Sequence, residues 1–533
     1  MKQIQFVTIL LAALMVAAAP ALSPSPAEPA PAESSTSPTL QTGQPNIIFI
    51  LTDDLDYASI QYMPKLKSLI TDHGVTFTNY FVSMSLCCPS RATTLRGQYA
   101  HNTKILGNDP PAGGFEKFHQ LGEEKSTIAV WLQGAGYRTM LSGKYLNGYP
   151  DRNHLTYIPP GWNEWYVKVR GRTDKEFDYS LNENGQQVAY GDKRKDYGTD
   201  VYVRKTVDFI RRSAKAGKPF FVYLAPHAPH APATPAPRHE KLFLDRTAPR
   251  TPNFNEADIS DKPKYIRQRP PMTKQQIDSV DEHYRLRLQS LQAVDEGIEA
   301  IVSMLKSTGQ FDNTYIFFTS DNGYHMGNHR LLGGKIMPYD EELRVTLIVR
   351  GPGVPAGTTL EHLTGNVDLA PTWAELAGAK AADFVDGRSL VPLLREHPPA
   401  LAQWRQAFLI ENKRYQAPPT REPAAAAPNT PAELLEPPDQ DDRLMAILPF
   451  LQRSKLDVPA FRGIRTQTQS YVEYITGEKE LYDLKTDPYQ LQNLAGQAAP
   501  ALMAQYSARV NALMACAASS CRTIEEAPLN PSQ

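Results

Sequence analysis

Three uninterrupted apolar runs, at 46–51, 219–224 and 315–319, constrain this chain more than any other feature. A strand with one wet face alternates polar and apolar residues, whereas a run that is apolar throughout suits burial on both faces of a sheet. Weaker runs lie at 138–141 and 347–349, and helical patterns fall between, at 128–132 and along 274–305. Strands alternating with helices predict an α/β fold with a largely parallel sheet and chemistry at the C-terminal ends of its strands.

Outside that core the chain changes character. Residues 1–21 carry an early Lys2, an apolar run and Ala19-Pro20-Ala21, the pattern of a cleaved signal peptide. The run is short for a bilayer and no stop-transfer signal follows, so a secreted or periplasmic protein with no stable membrane span is expected. Pro, Ala and Ser dominate 22–44, a predicted disordered linker. A catalytic domain is expected over 45–390. A smaller C-terminal unit follows over 391–522, with a low-complexity insertion at 416–442 and a tail at 523–533. Within that unit, 471–474 and 479–484 read as strands and 500–516 as a helix. Residues 231–271 lack periodicity and read as an excursion over the active-site face. The 56 Lys plus Arg nearly cancel the 57 Asp plus Glu, so no basic field exists and no nucleic-acid partner is expected.

Asp53-Asp54 follows the first apolar run, and Asp321-Asn322-Gly323 follows the third. Adjacent carboxylates near a core are costly unless a cation neutralises them, and such oxygen donors suit Ca²⁺ or Mg²⁺ rather than zinc. Each segment also reads as an ordinary turn. The four cysteines form two close pairs, Cys87-Cys88 and Cys516…Cys521. Vicinal cysteines rarely bridge each other, while the second pair could close a small loop in an oxidising compartment.

The run Cys87-Cys88-Pro89-Ser90-Arg91, with a helix behind it, resembles the maturation signature of the type I sulfatases. The resemblance spans 45–522 and includes Gly143-Lys144-Tyr145, His230 within Pro229-His230-Ala231, and Gly334-Lys335 with Tyr339 and Arg344. Gly143-Lys144-Tyr145-Leu146-Asn147, Tyr324-His325, residues 250–255 and Cys516…Cys521 are similar to the N-acetylglucosamine-6-sulfatase and heparan sulfatase branch.

That resemblance implies an alkaline-phosphatase-like three-layer sandwich, with a large mostly parallel sheet and a C-terminal subdomain built on an antiparallel sheet. It implies that a separate maturation enzyme oxidises Cys87 to Cα-formylglycine. Asp53, Asp54, Asp321, Asn322 and the modified Cys87 would hold Ca²⁺, and Arg91, Lys144 and Lys335 would add fixed cations. The hydrated aldehyde would attack sulfur, Asp321 would take its proton, and His230 or Lys335 would protonate the departing alkoxide. Many sulfatases have a histidine two residues after the first lysine, where this chain has Leu146. His101 and His325 are the candidate replacements, and both, with His227, are candidate substrate contacts. The implied function is an exported sulfatase acting on 6-O-sulfated N-acetylglucosamine saccharides. A broad arylsulfatase, a phosphoester hydrolase of the same superfamily and an inactive sulfated-glycan binder are the alternatives.

Overall fold

The structure is a computed structural model and describes residues 43–150, 154–169, 176–412 and 458–529. The expected signal peptide, nearly all of the linker and the 416–442 insertion lie outside them. The large sheet contains β1 (Asn46–Thr52), β2 (Val75–Phe81), β3 (Arg138–Gly143), β4 (Glu164–Val169), β5 (Tyr179–Glu183) and β6 (Gln186–Tyr190). It continues with β7 (Phe220–Ala225), β8 (Thr314–Ser320), β9 (Arg344–Arg350), β10 (Thr358–Leu360) and β11 (Thr364–Gly365). The spatial order is β10-β2-β9-β8-β1-β7-β3-β4-β5-β6, with β11 joined to β2.

The apolar runs occupy the middle of this sheet. β8, β1, β7, β3 and β4 are mutually parallel, and every residue of β1, β7 and β8 is buried. The sheet is mixed towards its edges, where β9 runs antiparallel to both β8 and β2, and β5 runs antiparallel to both β4 and β6.

The two-residue period of a strand splits each run between two cores. Ile48, Ile50, Val222, Leu224, Ile316 and Phe318 face the helices Gly198–Lys215 and Lys274–Ser307. Ile47, Phe49, Phe221, Tyr223 and Phe317 face the helices Cys87–Arg96, Ile128–Gly134 and Leu369–Leu376. Trp373 anchors the second core, its ring centre 4.6 Å from Phe49, 5.5 Å from Phe221 and 5.8 Å from Phe317. The Lys274–Ser307 helix begins in a capping box. Gln276 N donates to Thr273 Oγ1 (3.3 Å), and Thr273 N donates to Gln276 Oε1 (2.9 Å).

A second, antiparallel sheet comprises β12 (Phe408–Asn412), β13 (Phe461–Arg465), β14 (Gln469–Tyr474) and β15 (Lys479–Asp483) in sequential order. Tyr506, Val510 and Leu513 of the helix Pro500–Met514 pack into its core, and Cys516 is bonded to Cys521 just beyond. Among the described residues no helix is long and apolar enough to cross a membrane.

Candidate active site

The C-terminal ends of four neighbouring strands converge on one buried cluster. β1 delivers Asp53 and Asp54, β8 delivers Asp321 and Asn322, β3 delivers Lys144, and β7 leads to His227 and His230. At the end of β3, Gly143 adopts φ +112°, and a Cβ there would lie 2.0 Å from Ala225 O. Only glycine fits so close to β7, and the turn lets Lys144 N donate to Ala225 O (2.8 Å).

Cys87 opens the helix Cys87–Arg96, so its side chain stands at the positive end of the helix dipole. Its Sγ is 3.4 Å from Asp53 Oδ1 and 3.9 Å from Asp54 Oδ1, and it accepts a hydrogen bond from Lys335 Nζ at 2.7 Å. The neighbouring thiol lies elsewhere. Cys88 belongs to the apolar core, where burial pushes its pKa up to about 12 and keeps it protonated. The two vicinal cysteines therefore point into different chemistry.

Three carboxylates interlock with three cations in the cluster. Lys144 Nζ donates to Asp53 Oδ2 (2.8 Å), Lys335 Nζ to Asp54 Oδ1 (2.6 Å) and Arg91 Nε to Asp321 Oδ2 (2.8 Å). Arg91 also reaches Lys144 O (3.0 Å) and lies 3.6 Å from Asp53 Oδ2. Burial alone pushes Asp53 up, yet Lys144, His230, Arg91 and Lys335 together hold it well below the usual carboxylate range. Asp321 is raised, by burial first and then by Asp53. Ser90 Oγ donates to Asp321 O (2.5 Å) and accepts from Asn366 Nδ2 (3.0 Å), which ties the helix start to the end of β8.

Ligand atoms of Asp53, Asp54, Cys87 and His230 all lie within 4.8 Å of one another, a grouping that could hold a metal ion. Asp321 and Asn322 adjoin it, with Asp321 Oδ1 accepting from Asp54 N (3.0 Å) and Asn322 Nδ2 donating to Asp54 Oδ1 (2.7 Å). Asn322 Oδ1 is buried and has no hydrogen-bond partner among the described residues. An orphaned carbonyl oxygen beside three carboxylates fits a hard cation, which would turn the mutual repulsion of these oxygens into attraction.

The histidines divide. His230 Nε2 is 3.7 Å from Asp54 Oδ2, and its Nδ1 hydrogen-bonds Ala231 O at 2.7 Å. His227 lies on the same loop with its ring 6.1 Å from that of Tyr202. His325 is one backbone bridge from Gly334, hence close to Lys335, but its Nδ1 is bound to Glu342 Oε1 at 2.5 Å. Burial drives its pKa down to about 3. His101 points towards the small sheet, where its ring pairs with Glu411 (3.2 Å) and Cys516 O (3.1 Å). Leu146 is buried with Tyr145, Tyr149 and Trp165, an apolar setting that suits leucine where many sulfatases have histidine.

Arg287 is a member of the site that sequence reasoning missed. It is fully buried on the inward face of the Lys274–Ser307 helix and donates to Asp54 O and to Pro229 O (3.3 Å). Its guanidinium carbon lies 4.5 Å from the centre of the Tyr324 ring. One side chain thus braces the loops after β1, β7 and β8. The available signal was a cation inside the apolar stripe of Tyr284, Leu288 and Leu291.

A family profile for sulfatases matches residues 45–379. Human N-acetylglucosamine-6-sulfatase is 35% identical over 90% of this chain and 86% of its own length. The chain belongs to the sulfatase family, a family of sulfuric ester hydrolases. An extracellular sulfatase Sulf-1 homologue of Caenorhabditis elegans is 40% identical over 69% of this chain, a match that covers only 52% of that longer protein. A structure solved in complex with its substrate D-glucosamine-2-N,6-O-disulfate superposes with a TM-score of 0.69, at 24% identity, over 89% of this chain and 97% of that one.

Proposed function

We propose that this protein is an exported sulfatase that removes 6-O-sulfate from N-acetylglucosamine-containing saccharides through a formylglycine derived from Cys87. The observation that carries the reading is the setting of Cys87, at a helix N-terminus within reach of Asp53, Asp54 and Lys335. The relative named N-acetylglucosamine-6-sulfatase supports the substrate class, and the relative named an extracellular sulfatase supports export. Asp53, Asp54, Asp321 and Asn322, with the oxidised residue 87, would hold Ca²⁺. A bound Ca²⁺ supplies positive charge against the ester oxygens, and the hydrated aldehyde of residue 87 supplies the attacking oxygen.

The remaining work falls to the side chains of this chain. The three carboxylates and three cations balance formally, so a divalent ion leaves the site net positive, as an anionic ester requires. Arg91 keeps Asp321 and Asp53 aligned, and Lys144 and Lys335, held at Asp53 and Asp54 beside Cys87, stand where they can donate to sulfate oxygens. His230, with Nδ1 fixed on Ala231 O, presents Nε2 at the cluster and can protonate a departing alkoxide. Asp321 is the proton acceptor in this reading. His101 and His325 take no part in it, since each ring is held by a glutamate.

The test is a substrate panel for matured protein with Ca²⁺. Release of sulfate from N-acetylglucosamine 6-sulfate saccharides in preference to 2-O-sulfated uronates and aryl sulfates is expected. Preference for the uronates would refute the substrate class, and no sulfate release from any ester would refute the activity.

A further inference from the structure

His283 lies on the inward face of the Lys274–Ser307 helix, one turn before Arg287. It is 3% exposed, and neither ring nitrogen has a hydrogen-bond partner among the described residues. A buried imidazole with both nitrogens unmatched is expensive, because the donor and the acceptor have each lost water and gained nothing. Burial, reinforced by Arg287 and His230, pushes its pKa down to about 3, so the ring is neutral at ordinary pH. A neutral ring offers one N–H donor and one lone-pair acceptor, on different nitrogens.

Its neighbours locate it. The ring centre is 5.8 Å from that of Tyr324, and Tyr324 lies against Arg287, which in turn holds Asp54 O and Pro229 O. His283 therefore lies beside Tyr324, close enough to Arg287 and His230 to feel their charge. Its burial does not put it out of a substrate's reach, since Cys87 is 0% and Lys335 2% exposed and a sulfate ester must meet both.

We infer that His283 is a specificity-determining residue that hydrogen-bonds a neutral substituent, a hydroxyl or acetamido group, of the sugar whose sulfate is bound at Cys87. A neutral ring able to donate and accept matches such a group and gains nothing special from a second sulfate. The inference rests on the saccharide reading above and assigns one contact within it.

The test compares wild type, His283→Phe and His283→Asn on N-acetylglucosamine 6-sulfate and on 4-nitrophenyl sulfate, which lacks sugar hydroxyls. His283→Phe should lower kcat/KM on the sugar by roughly 10- to 100-fold, the effect of leaving a buried substrate hydrogen bond unmade. The aryl sulfate should lose about tenfold less, so the ratio of the two rates changes. His283→Asn, which keeps a donor and an acceptor, should recover part of the sugar rate. Calorimetric binding of N-acetylglucosamine 6-sulfate to Cys87→Ala protein should weaken by a similar factor when His283→Phe is added. Equal losses on both substrates, or unchanged sugar binding, would overturn the assignment while leaving the saccharide reading intact. A wild-type enzyme that cleaves aryl sulfate but not the sugar sulfate would remove both.

Discussion

Replacing Arg287 with methionine keeps an unbranched apolar stem and deletes the guanidinium. Two buried carbonyls, Asp54 O and Pro229 O, then lose their donor, and the Tyr324 ring loses its cation. Each unpaired carbonyl costs about 1–3 kcal/mol and a desolvated cation–π contact about 2 kcal/mol. These effects overlap, so a total of about 3–5 kcal/mol is expected, the range for breaking a buried ionic contact. The damage concentrates at Asp54, whose φ of +62° is a left-handed conformation that a non-glycine residue keeps only under support. A displacement of about 1 Å at a reacting centre costs on the order of 100-fold in rate. Arg287→Met should therefore lower the urea midpoint, weaken Ca²⁺ activation and reduce kcat on 4-nitrophenyl sulfate by about 100-fold. A variant that loses the stability yet keeps the wild-type Ca²⁺ midpoint and a kcat within about threefold would refute the reasoning, because Asp54 would then be held without Arg287.

Three further outcomes follow from the same contacts. Exhaustive chelation should abolish turnover while leaving the fold intact, since Lys144 and Lys335 already neutralise Asp53 and Asp54. Added Ca²⁺ should restore the rate, and circular dichroism that collapses on chelation would contradict this. The His101–Glu411 pair should stabilise the protein more at low pH than at high pH. Burial lowers the His101 pKa, but Glu411 raises it further and the net shift is upward. Stability from a raised histidine is complete below about pH 6 and is lost as pH climbs through the folded value. The gap in Tm between wild type and His101→Gln should thus narrow from about pH 6 to pH 9, and a gap that widened would oppose the assignment. Cys516 and Cys521 are separated by 5 positions, so loss of their bond through Cys516→Ala should cost roughly 2 kcal/mol in chemical denaturation. No change in midpoint would contradict it.

The sheet's centre was legible because β7 is apolar throughout and β1 and β8 are apolar through their middles, at 47–51 and 315–318, a pattern that double-sided burial explains. The acids were legible from their place directly behind two of those runs. β2, by contrast, alternates buried and half-buried residues with Asn79 and two threonines, and β12 ends in Glu411 and Asn412. Nothing local distinguishes such segments from loops. The roles of the histidines were also hidden, since they depend on partners far along the chain. Glu411, 310 residues away, holds His101, and Glu342, 17 residues away, holds His325. Arg287 escaped notice because a lone cation at one position of an apolar stripe does not show what it faces, and only the packing of three loops around it gives it a buried task.

The most direct test is mass spectrometry of the peptide containing residue 87, taken from preparations of measured specific activity. The aldehyde-bearing fraction should rise in proportion to activity across preparations matured to different extents, and Cys87→Ala protein should have neither. Full activity from protein whose residue 87 retains its thiol would contradict the account.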